Sequence, residues 1–476
     1  MDTTPCLHRR ISALAFLAVL LLSGCAAELQ AERDVDQVDV GPELGLARAR
    51  IKQLTSTVDS AGSVHLAGLT ESGDVHYVVI DVNGTAHAEI IGKLPPGTGD
   101  TAALDIIEYP PGTIRLSVGD TEHSRPLAGG EWSRFGGNRC RQYLVVGVSL
   151  YCAFVASGEE VGSAPRKDWS GYMLVILPFI WPKTVQPGKL VLAERGETSW
   201  TVRAVLDSAN NWSAHERDFT VCADEQGMVH AVFRVWRGGT IHADQPGFFI
   251  IPPTSRTIGQ EIEVRYAQVR LAEGRASGGT RAEWQEAQSE RIELGVRALA
   301  LSGSPKDWML GLRAKVAVLP KSGVALALVA ARQSSLATVV VNTNKVDILA
   351  LGTYSWGGPQ YQYDYSPVLR VRGDDAPHVL VSACPVGFHK SPETCDGRMV
   401  YVTRRASGRL AIAPLEGAAA SMFAARALAV GSQGQVFAAW ATTDDRLVGR
   451  WIRPSSPLSL PVPAPGRRLG LTLDLD

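Results

Sequence analysis

The chain has 476 residues, with 47 lysines and arginines against 48 aspartates and glutamates, a formal net charge of −1. So even a balance leaves no basic footprint for nucleic acid and no strong long-range field. With 45% hydrophobic residues, 47 Gly and 27 Pro, the composition fits many short strands joined by tight turns. The length holds two or three ordinary domains or one large repeat fold.

The first element is a leader. Arg9 and Arg10 precede an almost unbroken apolar run from Ile11 to Leu22. As a helix that run would rise only about 18 Å, well short of the ~30 Å hydrocarbon core, so it reads as a signal segment rather than a span. It ends in Leu22-Ser23-Gly24-Cys25, which resembles the lipobox of bacterial lipoproteins. The resemblance implies cleavage before Cys25, acylation of that cysteine and a durable lipid anchor in the cell envelope. Ala26, where an inner-membrane retention signal would place Asp, implies the outer membrane. Residues 25–50, charged and poor in large apolar groups, are expected to form the acylated N-terminus and a tether.

An exported chain meets oxidising conditions, which bears on its cysteines. Cys6 leaves with the leader and Cys25 is acylated, so Cys140, Cys152, Cys222, Cys384 and Cys395 remain. Cys140 and Cys152 lie symmetrically about Val146-Gly147, and a hairpin turning there places them opposite each other. Cys384 and Cys395 bracket a turn-rich loop between two apolar runs and form the second expected disulfide. Cys222, within Thr220-Val221-Cys222-Ala223, reads as a buried thiol.

From residue 51 a phrase recurs. Asp59-Ser60-Ala61-Gly62-Ser63-Val64-His65 is echoed by Asp224-Glu225-Gln226-Gly227-Met228-Val229-His230, and Gly431-Ser432-Gln433-Gly434-Gln435-Val436-Phe437 keeps the frame with Phe for His. Each copy reads as strand, four-residue turn ending on glycine, strand. Weaker echoes at Gly112, Gly323 and Asp375 set a period of about 50 residues, the range of propeller blades. The phrase resembles the strand pair of sialidase-like β-propellers. That resemblance implies an all-β fold, a single propeller of seven or eight blades over 51–453. The Asp-box of true sialidases is absent, which argues against sialidase activity. Residues 280–294 admit a capping-box helix or an outer strand following Glu261 to Leu271, and the strand is the reading taken. After the proline-rich 454–465, the strict alternation of Leu469 to Asp476 predicts a last strand that closes the ring.

Chemistry is sparse. No nucleophile elbow, zinc-protease motif, Walker loop or dinucleotide fingerprint occurs, so no catalytic residue, metal or cofactor is assigned. His65 with His76, and His230 with His242, recur at similar spacing, but no carboxylate recurs beside both pairs to complete a metal site. The histidines are expected to bond backbone between blades. Asp374-Asp375 and Asp444-Asp445 fall in predicted turns as solvated acids. The best binding candidate is the aromatic loop of Tyr354, Trp356, Tyr361, Tyr363 and Tyr365, whose rings suit sugars or peptide side chains. The expected function is a lipid-anchored binding or assembly module working through one propeller face. Its partners are the membrane and an envelope protein or glycan, with no nucleic acid. The alternatives are a glycan-active enzyme with acids in the propeller channel and a structural lipoprotein without a small ligand.

Overall fold

The computed structural model describes residues 35–36, 38–95, 102–173 and 178–196, and from 199 to 453 chiefly the strands and their tighter turns. Every described regular element is a strand, and the strands form eight sheets. Seven of these are antiparallel blades following one another along the chain. Blade 1 comprises Ile51–Val58, Val64–Thr70, Asp74–Ile80 and Ala86–Lys93. Blade 2 comprises Leu104–Glu108, Thr113–Val118, Thr121–Pro126 and Ser133–Gly136. Blade 3 is Gln142–Val146, Ser149–Ala156, Lys189–Arg195 and Trp200–Val205. Blade 4 is Ser213–Ala223, Met228–Arg237, Glu261–Arg270 and Ser289–Arg291. The last of these confirms the outer strand expected within 280–294.

Blade 5 runs Val316–Leu319, Val324–Ala330, Leu336–Val340 and Lys345–Ala350. Blade 6 runs Val368–Val371, Pro377–Pro385, Gly397–Arg404 and Leu410–Ala420. Blade 7 begins with Arg426–Val430, Val436–Ala441 and Arg446–Arg453. The first strand of each blade touches the first strand of the next, and that of blade 7 touches that of blade 1. A closed ring of inner strands around a central channel is a β-propeller, here of seven blades.

The fourth strand of blade 7 comes from the N-terminal side of the ring. Leu44–Arg48 and Asp39–Val40 pair antiparallel with Arg446–Arg453, and Val35–Asp36 pairs in parallel with Leu410 and Ala411 of blade 6. One expectation changes. The tether assigned to 25–50 is folded from 39 onward, because Leu46 and Val38 are buried among blade side chains. The outer position of blade 7, the place a closing strand takes, is held by 39–48. The last strand expected at 469–476 lies outside the described residues.

The core is distributed between blades, each blade burying one face against its neighbour. Leu66, Val78, Ala427 and Phe437 pack between blades 7 and 1, and Ala67, Leu69, Ile114 and Leu116 between blades 1 and 2. The repeated turn has the expected form. Asp59 Oδ1 accepts the amides of Ala61 and Ser63 while Gly62 takes φ of 89°, which suits a residue without Cβ. Asp224 repeats the arrangement with Gln226 and Met228.

The eighth sheet stands outside the repeat. Arg166–Met173 and Pro178–Val185 are inserted between the second and third strands of blade 3. Ile241–Gln245 and Thr254–Ile258 are inserted at the same place in blade 4. The two insertions join through the parallel pairs Gly171↔Ile241 and Tyr172↔His242. Strands alternate in direction, so every second-to-third connection leaves a blade on the same side of the ring. Both insertions therefore rise from one face, called here the insertion face.

Candidate functional site

One polar position recurs between blades. In blade 1, His65 Nδ1 and the Tyr77 hydroxyl share a 2.5 Å hydrogen bond, and His65 Nε2 lies 3.0 Å from Asp59 Oδ2. Tyr77 stands opposite Ala67, two residues beyond His65, in the strand register. The same offset gives His230 with Tyr266 at 2.7 Å in blade 4, and His378 with Tyr401 in blade 6. Asp224 Oδ2 lies 3.7 Å from His230 Nε2, so a carboxylate does recur beside both histidines, six residues before each, contrary to the expectation that none does. In blade 2 the pair becomes Arg115 with Glu122. In blade 7 it becomes Phe437 with Gly449, where a Cβ on the glycine would collide with the phenyl ring.

The histidines thus bond side chains, not the backbone expected for them, because the tyrosine hydroxyl on the third strand is the nearest partner. Burial holds the His65 and His230 pKa values below the ordinary range, with Asp59 and Asp224 opposing that shift. Burial likewise raises the Tyr77 hydroxyl. His76 stands opposite Gly68, away from His65. Among the described residues no group of three or more metal-ligating side chains gathers. These pairs are buried within blades 1, 4 and 6.

The channel differs. Asp105, on the inner strand of blade 2, accepts a 2.6 Å hydrogen bond from the Tyr143 amide of blade 3 and a 3.3 Å bond from the Thr55 hydroxyl of blade 1. It also feels the charge of Arg370, on the inner strand of blade 6. Blades 2 and 6 are not neighbours, so that charge acts across the ring. Burial pushes the Asp105 carboxyl up to about 6, against the pull of the Tyr143 amide and the Arg370 guanidinium. Burial lowers the Arg370 pKa while Asp105 opposes it. The sequence pointed to neither residue, since nothing in the two short strands links one to the other.

The inner strand of blade 4 is irregular beside this channel. Its pairing with the second strand breaks between Ala214 and Phe219. Such bulges commonly re-aim side chains near functional sites. Between blades 2 and 3, buried Glu122 receives Arg115 at 2.5 Å and the Tyr143 hydroxyl at 3.3 Å, with Arg195 at 3.6 Å. That network is satisfied and structural.

Of the aromatic loop, Tyr354–Ser355 and Gln360–Tyr363 form a two-stranded hairpin. Tyr361 and Tyr363 pair with Pro385 and Ala383, at the insertion-face end of blade 6 and on its inner edge. Tyr354, Tyr361 and Tyr363 therefore sit in backbone at the channel mouth, while Trp356 and Tyr365 lie outside the described residues. Cys140 and Cys152 form the expected disulfide, with Cα atoms 5.4 Å apart. Cys384 is a strand residue of blade 6, and its expected partner Cys395 lies outside the described residues, as does Cys25. Cys222 carries no disulfide and is half-buried, with its Sγ 4.0 Å from the His230 carbonyl. Asp444 accepts from Thr442 and Arg446 in a surface turn.

No protein-family model and no curated protein matches the chain. Solved structures with a similar course include a protein of unknown function from Dyadobacter fermentans DSM 18053. It is 9% identical at a TM-score of 0.40, over 87% of this chain and 99% of that one. An α-L-arabinofuranosidase from Fusarium graminearum is 10% identical at a TM-score of 0.38, over 87% and 98%. A lectin from Aleuria aurantia with a six-bladed propeller and fucose recognition is 8% identical at 0.35, over 86% and 93%. The fold assignment rests on the ring of seven blades, not on these likenesses.

Proposed function

We propose that this protein is a lipid-anchored envelope protein that acts as a binding or assembly module through its insertion face. One observation carries the reading. Insertions from blades 3 and 4 fuse into an extra sheet on the same face where the blade 6 hairpin reaches the channel mouth. Extra strands placed away from the interblade cores do little for ring stability, whereas a face built from them offers a broad contact surface. The anchor at Cys25 places that face within reach of a membrane. Palmitate labelling is expected in the wild type and absent in Cys25→Ala. Crosslinking in intact cells should capture a partner that is lost when residues 164–187 are replaced by a short Gly-Ser turn. Unchanged capture by that variant overturns the reading.

A second reading, a glycan-active enzyme, is favoured by the Asp105 carboxyl, whose pKa of about 6 suits a general acid. Glycoside hydrolysis needs a second carboxyl, and Glu216 and Asp218 in the irregular inner strand are the residues to test. Turnover of aryl glycosides abolished by Asp105→Asn and by one of Glu216→Gln or Asp218→Asn supports it. Absence of turnover across a broad glycoside panel removes it.

A further inference from the structure

We propose that the face of the ring opposite the insertions, called here the turn face, rests on the membrane surface through the turn tips of blades 1 to 3. The proposal rests on the Cys25 anchor and deepens the reading above, since it turns the insertion face away from lipid and toward a partner. The place where the chain enters the ring carries the argument. Second-to-third connections lie on the insertion face, so the third strand of blade 7 ends on the turn face, at Arg453. Asp39 and Val40 pair antiparallel with Arg453 and Ile452, and Leu44–Arg48 continue along that strand toward Arg446. Residues 39–48 therefore run from the turn face toward the insertion face. Val35 pairs with Leu410, the first residue of the outer strand of blade 6, which also lies at the turn-face end. Cys25 stands ten residues earlier, a reach of at most about 35 Å. An eight-residue strand such as Ile51–Val58 stands about 26 Å tall. Presenting the insertion face to lipid would use up most of the tether in climbing past the ring, whereas presenting the turn face uses none of it.

The tips on this face suit a lipid surface. Val148, at the tip of the blade 3 hairpin, is 91% exposed, and Val82, in the outer turn of blade 1, is 59% exposed. Blade 2, between them, exposes Pro110, Pro111 and Ala128 in its two turns, with one exposed acid, Glu131, at the outer edge. The tips are joined to one another. The Tyr109 hydroxyl donates to the Val148 carbonyl at 2.7 Å, and a Cβ on Gly62 would stand 3.5 Å from Val82. The remaining acids are engaged by turn amides. Glu108 accepts from the Ser60 amide and hydroxyl and from the Gly112 amide, and Asp81 accepts from the amides of Asn83 and Thr85. A lone exposed valine is ordinary on a water-facing surface. Here two of them share the face at which the anchored chain enters. Such a contact adds buried apolar area to the acyl chains and, unlike a polybasic patch, needs no anionic lipid.

The test holds the full mature chain on phosphatidylcholine vesicles in two ways: through its own acyl chains, and, as Cys25→Ser, through an N-terminal histidine tag on a chelating lipid. In a Cys222→Ser background, a polarity-sensitive fluorophore is placed on Val148→Cys or, in the blade 3 insertion, on Lys167→Cys, both exposed positions. The label at 148 should shift to the blue and lose most of its emission to lipids spin-labelled near the headgroup, while the label at 167 behaves as in water. With the label moved to Ala128→Cys, adding Val82→Asp and Val148→Asp together should reverse both changes. A label at 148 that stays in water, a label at 167 that enters lipid, or a signal untouched by the two aspartates overturns the proposal. Mass spectrometry of the wild-type N-terminus reports the anchor separately. Where acyl chains are found, the acylated preparation decides, and a label at 148 left in water sinks the turn face while the anchor stands. Where none is found, the anchor reading fails and the chelated chain alone decides the face.

Discussion

Blades 1 and 7 are neighbours that solve the same packing problem differently. Blade 1 is made from one continuous stretch, and its interblade position carries the hydrogen-bonded pair His65 and Tyr77. Blade 7 takes its outer strand from residues 39–48, some 400 positions away in sequence, and fills that position with Phe437 over Gly449. The contrast shows that the repeat specifies a volume to be filled at each interface rather than a residue type. A polar pair is admitted where both partners are present, and a phenyl ring replaces it where the third strand gives up its side chain. It also shows where the ring is weakest in principle, at the blade whose outer strand comes from the far end of the chain rather than through a connection within the blade.

The largest expected effect comes from the closure. Leu46→Asp buries a charge in the core between blades 7 and 1 and should cost about 3 kcal/mol or more, visible as a large drop in thermal midpoint. The matching change in the outer strand of blade 1, Ile90→Asp, falls on an exposed side chain and should shift stability by under about 0.5 kcal/mol. Equal effects would break the comparison.

Next comes the Phe437 position. Gly449→Tyr forces a ring into occupied space and should destabilise by about 1–3 kcal/mol. Adding Phe437→His should recover most of that loss by rebuilding the blade 1 solution. A double variant no better than Gly449→Tyr alone would sink the idea of interchangeable pairs.

Smaller still is Tyr77→Phe, which leaves His65 Nδ1 without its hydroxyl partner and should cost about 1–2 kcal/mol in denaturant unfolding. The pH dependence sharpens this comparison. Burial holds His65 and His230 below the ordinary histidine pKa, so the unfolded chain takes up protons first as pH falls through about 6.5. Their contribution is therefore complete above that pH, declines below it, and stops changing once the folded-state pKa is passed. Asp105 has the opposite sign. Its folded pKa of about 6 exceeds the unfolded value, so the protonated form favours folding at low pH and that advantage is lost as pH rises through 6. Asp105→Asn should thus fold at least as stably as wild type at pH 7.5. A stability lower by about 2 kcal/mol at that pH would show that the Tyr143 contact outweighs the burial cost.

Much of the repeat was legible because turns are local. Asp59, Gly62 and their counterparts Asp224 and Gly227 form each turn from residues within a few positions of one another. The Cys140 and Cys152 pair was legible for the same reason, lying across one short hairpin. The tyrosines that bond the histidines were not, since Tyr266 is 36 residues from His230 across an insertion. The electrostatic link between Asp105 and Arg370 was invisible because they lie on strands of non-neighbouring blades, and nothing in either strand names the other.

The sequence by itself determined what depends on neighbours along the chain: strand periodicity, turn glycines, the near disulfide and the blade spacing. Only the tertiary structure decided which strand closes the ring, how many blades it holds and which polar groups face its centre. Backbone preferences act over a few residues, whereas ring closure and channel lining arise when strands hundreds of positions apart are brought together by burying their faces against adjacent blades.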